Sequence, residues 1–178
     1  MSGYLEKLRS CGLCPRKCGT DRTAGERGFC GAGANARIAR AALHFWEEPC
    51  ISGEKGSGAV FFSGCTMRCI FCQNYEVSTN NLGTDITVPE LAETFLELER
   101  QGAENINLVT PTQYAPQIIS ALGEAPQSGL SVPAVYNTGG YECEGTLGLL
   151  EGYIDRYMPD VKYWSVRPAL SYSSAPDY

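Results

Sequence analysis

Short apolar runs alternate with amphipathic stretches along most of the chain. Four of these runs predict buried strands: Ala59–Gly64, Ile106–Thr110, Val132–Tyr136 and Tyr153–Tyr163. Between them, apolar residues recur at the i, i+3, i+4, i+7 spacing of an amphipathic helix. Strands that alternate with helices in this way are typical of βα units, so the pattern predicts an α/β fold with a parallel sheet.

The helix after the first strand has clear boundary signals. Thr87 and Glu90 have the spacing of a capping box, Pro89 lies in the first turn, and Gly102 ends the pattern. A weaker helical pattern covers Thr146–Leu150. Another helix places four apolar residues on one face: Ala115, Ile118, Ile119 and Leu122.

The region before these units is different in composition. Residues 1–48 are rich in Cys, Gly and Arg, and the stretch ARIARAALHFW within them fits a helix and an extended strand equally. The sequence therefore predicts a Cys-rich metal-binding segment over 1–48 and an α/β domain over 49–178.

Composition narrows the classes of function. The 178 residues carry a net charge of -6 without a run of Lys or Arg, so no nucleic-acid partner is expected. The chain also lacks a signal-peptide layout and an apolar run of roughly 20 residues, so we expect a cytoplasmic protein without membrane contact. Nine cysteines in such a chain favour metal ligands or catalysis over disulfides.

Three of the cysteines follow the first predicted strand, in GCTMRCIFCQNYE. Ligands of α/β folds sit at the carboxyl ends of parallel strands. Cys65, Cys69 and Cys72 could bind three irons of a 4Fe–4S cluster and leave the fourth iron open to a reactant. A zinc site that takes a fourth ligand from elsewhere is the alternative.

Four other cysteines form a complete ligand set near the N-terminus. Cys11, Cys14, Cys18 and Cys30 have C-x2-C-x3-C-x11-C spacing. Four thiolates suit either a structural zinc ion or an auxiliary 4Fe–4S cluster, and both remain open. Cys50 and Cys143 stand alone and are expected to be inert.

The C-x3-C-x2-C loop, with Phe71 before its last cysteine, resembles the cluster loop of radical S-adenosylmethionine enzymes. Several runs extend the resemblance over nearly the whole chain, to the relatives of the pyruvate formate-lyase activating enzyme often labelled PflX-like. These runs are CGLCPRKCG, LHFWEEPCISGEKGSGAVFFSGC, CQNYEVS, ENINLVTPTQYAP, PAVYNTGGYE and MPDVKYW.

This resemblance implies a fold and an activity. The fold would be a partial (β/α) barrel of the radical S-adenosylmethionine type, truncated here after about four strands. The activity would be that of an oxidoreductase that cleaves S-adenosylmethionine to a 5′-deoxyadenosyl radical. The partners would be a glycyl radical enzyme or another protein substrate, with reduced flavodoxin or ferredoxin as electron donor.

The resemblance also implies roles for individual residues, although it assigns no catalytic side chain. Asp160 and Lys162 would hold the amino-acid end of S-adenosylmethionine, which needs one anionic and one cationic partner. A plain ion pair at a strand end is the alternative for these two. The other predicted cofactor contacts are Phe71 near the adenine, Thr110, Asn137 and Thr138.

Two other functions stay open at this stage. One is a non-catalytic iron–sulfur or zinc protein, which would need four ligands at each metal site and no polar pocket at the strand ends. The other is radical modification of a different substrate. His44, the only histidine, is expected to have a hydrogen-bonded structural role.

Overall fold

The computed structural model describes residue 3 and residues 5–178. The strands β1 to β6 are, in chain order, Ala36–His44, Ser57–Phe62, Thr84–Ile86, Ile106–Val109, Ala134–Thr138 and Arg156–Pro159. The helices α1 to α6 are Pro49–Ser52, Tyr75–Ser78, Val88–Arg100, Ala115–Glu124, Glu144–Leu150 and Val166–Ser173. Short 3-10 helices span Leu5–Leu8, Arg22–Ala24, Thr112–Tyr114 and Ala125–Ser128.

All six strands belong to one mixed sheet with the order β3-β1-β2-β4-β5-β6. Strands β2, β4, β5 and β6 are parallel neighbours, whereas β1 pairs antiparallel with both β2 and β3. The four predicted strands therefore exist and are parallel, with boundaries that differ by a few residues.

The prediction of a partial (β/α) barrel truncated after about four strands is wrong. A barrel of this type is built from parallel strands, each followed by a helix. Here the outer edge of β2 is taken by antiparallel β1, and β3 extends the sheet beyond it, so the sheet is open and has six strands. A βα rhythm in the sequence does not specify closure, which is why the pattern could not exclude this arrangement.

The ambiguous stretch near residue 40 is strand β1. Its alanines favour a helix when considered alone, but hydrogen bonding to two neighbouring strands overrides that preference. A register shift between Ile38 and Arg40 marks an irregularity in its pairing with β2. Strand β1 thus joins the predicted N-terminal segment to the sheet, and the domain boundary at residue 48 stays a prediction.

The structure confirms the predicted start of helix α3. The Thr87 side chain accepts a hydrogen bond from the Glu90 backbone N–H, and the Glu90 carboxylate accepts one from the Thr87 backbone N–H. This capping box satisfies two backbone donors at the helix start. The buried face of α3 then packs on the sheet through Leu91, Phe95 and Leu98.

The two faces of the sheet have different roles, because successive strand residues point to opposite sides. Val60, Phe62, Ile106 and Leu108 face α3 and α4 and form the main core with them. The alternate residues Phe61, Val109 and Asn137 line a cavity instead. The helices therefore cover one face and leave the carboxyl end of the other face available for a ligand.

Among the described helices, none is long and apolar enough to cross a membrane. A cytoplasmic location stays a prediction.

Candidate functional site

A cavity of about 410 Å³ lies at the carboxyl ends of β2, β4, β5 and β6. Its volume is in the range of small-molecule sites. All the residues that the sequence analysis assigns to the iron–sulfur cluster and to S-adenosylmethionine line it: Cys65, Cys69, Phe71, Cys72, Thr110, Asn137, Thr138, Asp160 and Lys162. The strand ends thus bring together side chains that are up to about a hundred residues apart in sequence.

The three cysteines lie in the cysteine loop (residues 64–74), which follows β2 and packs against α6 and the C-terminal residues. Each sulfur accepts a hydrogen bond. The Met67 backbone N–H donates to Cys65 at 3.4 Å, the Ser78 hydroxyl to Cys72 at 3.3 Å, and the Ser173 hydroxyl to Cys69 at 2.8 Å.

Donors of this kind favour the thiolate form that binds metal. Burial acts in the opposite direction at Cys65, where it raises the pKa of the thiol despite hydrogen bonds from the backbone of Arg68 and Met67. The negative charges of Cys69 and Cys72 raise this pKa further. A bound cation would remove that cost, so the surroundings of these three sulfurs suit metal ligands, although among the described residues they do not yet have the arrangement of ligands to one ion.

The amide of Gln113 fixes the start of the cysteine loop. Its Nε2 lies 3.2 Å from the Ser63 carbonyl, 3.1 Å from the Gly64 carbonyl and 2.8 Å from the Thr110 carbonyl. One buried side chain therefore ties the carboxyl end of β2 to that of β4. Sequence analysis missed this residue because a lone glutamine in a turn carries no signal of such long-range contacts.

Asp160 and Lys162 follow β6 and form an ion pair at the cavity. The Lys162 side chain is mostly buried, whereas the Asp160 side chain is 61% exposed. Burial lowers the pKa of Lys162, but the hydrogen bond and charge of Asp160 outweigh it and raise this pKa overall. The nearby charge of Cys69 acts in the same direction, so the ammonium group stays charged close to the cysteine loop.

Thr110 ends β4 in an unusual conformation. Its φ of 56° is in the left-handed region, which β-branched residues rarely adopt. The Thr110 N–H donates to the Asn137 carbonyl at 2.9 Å, while its own carbonyl accepts from Gln113. These two hydrogen bonds hold the turn, and strain of this kind is common where backbone lines a functional site.

A carboxylate that the sequence analysis missed orients Thr138. Glu142 accepts hydrogen bonds from the Thr138 hydroxyl and, at 2.7 Å, from the Thr112 hydroxyl. Thr112 in turn accepts from the Tyr136 phenol at 3.2 Å. Because Glu142 takes the hydroxyl hydrogens, the oxygens of Thr112 and Thr138, which line the cavity, are left only as acceptors.

Phe71 lies at the cavity with its side chain 59% exposed and its ring edge against Tyr163 at 6.4 Å between centroids. An exposed aromatic ring at the rim of a cavity is suited to stacking on a flat ligand. Tyr163 also shares a hydrogen bond with Ser173, the donor to Cys69. Phe71 at the rim of the cavity is thus connected through Tyr163 and Ser173 to Cys69 in the cysteine loop.

The four N-terminal cysteines meet elsewhere. Cys11, Cys14, Cys18 and Cys30 line a separate cavity of about 20 Å³. Burial raises the pKa of Cys14 to about 12 and raises that of Cys30, whereas at Cys18 hydrogen bonds from Thr20 overcome the effect of burial and lower it. In the part of the chain that the structure describes, no three His, Cys, Asp or Glu side chains already have the arrangement of ligands to one metal ion.

Three other residues from the sequence analysis, His44, Cys50 and Cys143, do not line either cavity. His44 accepts a hydrogen bond at Nδ1 from the Trp46 backbone and tilts against the ring of Phe61. Cys50 is exposed and Cys143 is half-buried. Neither cysteine lines the two cavities that hold the other seven.

Comparison with known proteins gives a limited placement. No protein-family model matches the chain. Over 167 residues, the chain is 30% identical to "Uncharacterized protein MJ0674" of the archaeon Methanocaldococcus jannaschii. The alignment covers 88% of this chain and 46% of that protein, so the chain spans about half the length of the curated relative it matches.

Proposed function

We propose that this chain is a radical S-adenosylmethionine enzyme that binds a 4Fe–4S cluster through Cys65, Cys69 and Cys72. One observation carries the proposal: the three cysteines and all six predicted cofactor contacts line the same cavity at the strand ends. The cluster in this site would supply the electron that cleaves S-adenosylmethionine to methionine and a 5′-deoxyadenosyl radical, which takes a hydrogen atom from the substrate.

The cysteine loop holds the cluster ligands in place. Ser78 and Ser173 donate hydrogen bonds to Cys72 and Cys69, and hydrogen bonds to thiolate sulfur help to set the reduction potential of such sites. Three thiolates leave one iron without a protein ligand. The open position is what allows a reactant to bind, whereas a fourth thiolate would close it.

The charged pair after β6 suits the amino-acid end of S-adenosylmethionine. Lys162 offers a cation for its carboxylate and Asp160 an anion for its ammonium group. In the structure these side chains pair with each other, so ligand binding would exchange one ion pair for two. The oxygens of Thr112 and Thr138 provide further acceptors, because Glu142 orients their hydroxyl groups.

The alternative of a non-catalytic iron–sulfur or zinc protein agrees less well with this site. It needs a fourth ligand beside Cys65, Cys69 and Cys72 and no polar cavity. Among the described residues that line the cavity, those three are the only cysteines. The substrate, which could be a glycyl radical enzyme or another molecule, and the flavodoxin or ferredoxin donor stay predictions, as does a cytoplasmic location.

A single assay tests the proposal. The chain is reconstituted anaerobically with iron and sulfide, reduced with dithionite and mixed with S-adenosylmethionine, and 5′-deoxyadenosine is measured by chromatography. We expect product from the wild type and from a Cys50→Ala control, and none from a variant with Cys65, Cys69 and Cys72 all changed to Ala. Equal product from the triple variant, or none from a wild type that contains its cluster, would refute the proposal.

A further inference from the structure

The four N-terminal cysteines lie outside the cofactor cavity and have no role in the proposed reaction. The structure brings Cys11, Cys14, Cys18 and Cys30 around one small cavity, although 18 residues separate the first from the last. Cys11 and Cys14 are buried, Cys30 is half-buried and Cys18 is exposed. From this geometry we propose that these four cysteines bind one zinc ion.

The size of the cavity favours a single ion over an iron–sulfur cluster. Its volume is about 20 Å³, against about 410 Å³ for the cofactor cavity. A volume near 15 Å³ is enough for one water-sized sphere. A cluster of four irons and four sulfides needs far more room, whereas Zn²⁺ with four thiolates is compact and tetrahedral.

The ring of residues around the cavity leaves little room for expansion. Leu13, Arg16, Phe29, Thr66 and Gln113 complete its lining. Thr66 belongs to the cysteine loop, and Gln113 holds that loop to β4. Since the thiols do not yet have the arrangement of ligands to one ion, zinc binding would draw them inward onto this existing cavity.

Charge provides an independent argument. Arg22 is 1% exposed, and its guanidinium donates only to neutral carbonyls, those of Gly33 and Gln113. No carboxylate among the described residues forms an ion pair with it. A buried cation needs a compensating anion nearby. A zinc ion with four thiolates carries two negative charges, and Gln113, whose carbonyl accepts from Arg22, lines the cavity.

The zinc site would stabilise the cysteine loop through two direct contacts. Arg16, which lies between Cys14 and Cys18, donates from Nε to the Thr66 carbonyl at 2.6 Å. Its guanidinium also covers the Phe29 ring at 3.5 Å. On the other side, a Cβ on Gly64 would lie 2.2 Å from the Cys30 carbonyl, so the two backbones are in close contact. Zinc is therefore a structural ion that fixes the position of the cysteine loop.

The first test is metal analysis of the full chain, purified without added metal. We expect about one zinc per chain in the wild type, in the Cys50→Ala control and in the variant that lacks Cys65, Cys69 and Cys72. In a Cys14→Ala variant, zinc should fall below about a tenth of the wild-type content. Iron and sulfide retained by the triple variant would overturn the proposal, and so would zinc that is unaffected by Cys14→Ala.

A second measurement needs no variant and covers the case in which Cys14→Ala does not fold. The wild-type chain is stripped with a chelator and titrated with Co²⁺, which reports tetrahedral thiolate ligands by its visible and near-ultraviolet absorption. One equivalent of Co²⁺ with a four-thiolate spectrum, displaced by Zn²⁺, is the expected result. Absence of this spectrum would overturn the proposal. The test is independent of the proposed enzyme function, because neither S-adenosylmethionine nor an iron–sulfur cluster takes part.

Discussion

The contacts of Gln113 allow a quantitative prediction for the change Gln113→Leu. The side chain is 2% exposed, and its Nε2 faces the carbonyls of Ser63, Gly64 and Thr110. An amide nitrogen has two hydrogens, so leucine removes two hydrogen bonds and leaves buried carbonyls without them. Each such loss costs about 1–2 kcal/mol.

Part of this cost is offset. The Gln113 Oε1 atom is buried and has no hydrogen-bond partner among the described atoms. Leucine has a similar volume and removes that unpaired oxygen, which returns about 1 kcal/mol. The net loss in the free energy of unfolding is therefore about 2 kcal/mol. With a urea m-value of about 2 kcal/mol/M, the unfolding midpoint should fall by about 1 M.

The assay is urea unfolding of the reduced chain, followed by far-ultraviolet circular dichroism. Tryptophan fluorescence is a poor probe, because Trp46 and Trp164 are 90% and 98% exposed in the folded state. The matched control is Gln127→Leu, which removes one exposed hydrogen bond of 3.3 Å and should cost less than about 0.5 kcal/mol. Equal midpoints for the two variants would refute the role of Gln113.

Three further predictions concern other parts of the molecule. Gly64→Ala should lower the free energy of unfolding by about 2 kcal/mol more than Gly129→Ala, because both glycines have positive φ but only Gly64 would gain a clash; urea unfolding measures the difference. Lys162→Met should weaken binding of S-adenosylmethionine about 30-fold, because a hydrogen bond to a charged group contributes about 2 kcal/mol. Calorimetry of the reconstituted chain measures this affinity. The control Lys55→Met changes an exposed lysine and should leave the affinity unchanged. Burial raises the pKa of Tyr136, so above pH about 10 this tyrosine ionises only in the unfolded chain, and the free energy of unfolding falls as the pH rises. Tyr136→Phe should make that fall less steep when urea unfolding is measured across pH 8–11.

Local signals in the sequence predicted much of the fold. The capping box of Thr87 and Glu90 fixed the start of α3, and short apolar runs located the four parallel strands. Strand β1 and the short strand β3 gave no such signal, because their conformation depends on pairing with distant residues. The same dependence explains the wrong barrel prediction, since sheet closure is set by which edges pair.

The sequence likewise predicted some residues of the candidate site and not others. Residues directly after strands could be located from the sequence, because parallel strand ends meet at one edge of a sheet. Their supporting residues could not. Ser173 donates to Cys69 from 104 residues away, and Gln113 contacts the carbonyl groups of both Ser63 and Thr110. Such contacts depend on packing geometry that single-residue patterns do not encode.

The most direct test of the central claim is electron paramagnetic resonance of the reduced, reconstituted chain, with and without S-adenosylmethionine. The account predicts a signal from a 4Fe–4S cluster that changes shape when the cofactor is added. A cluster signal that is identical with and without the cofactor would contradict the claim that Cys65, Cys69 and Cys72 leave one iron open to it.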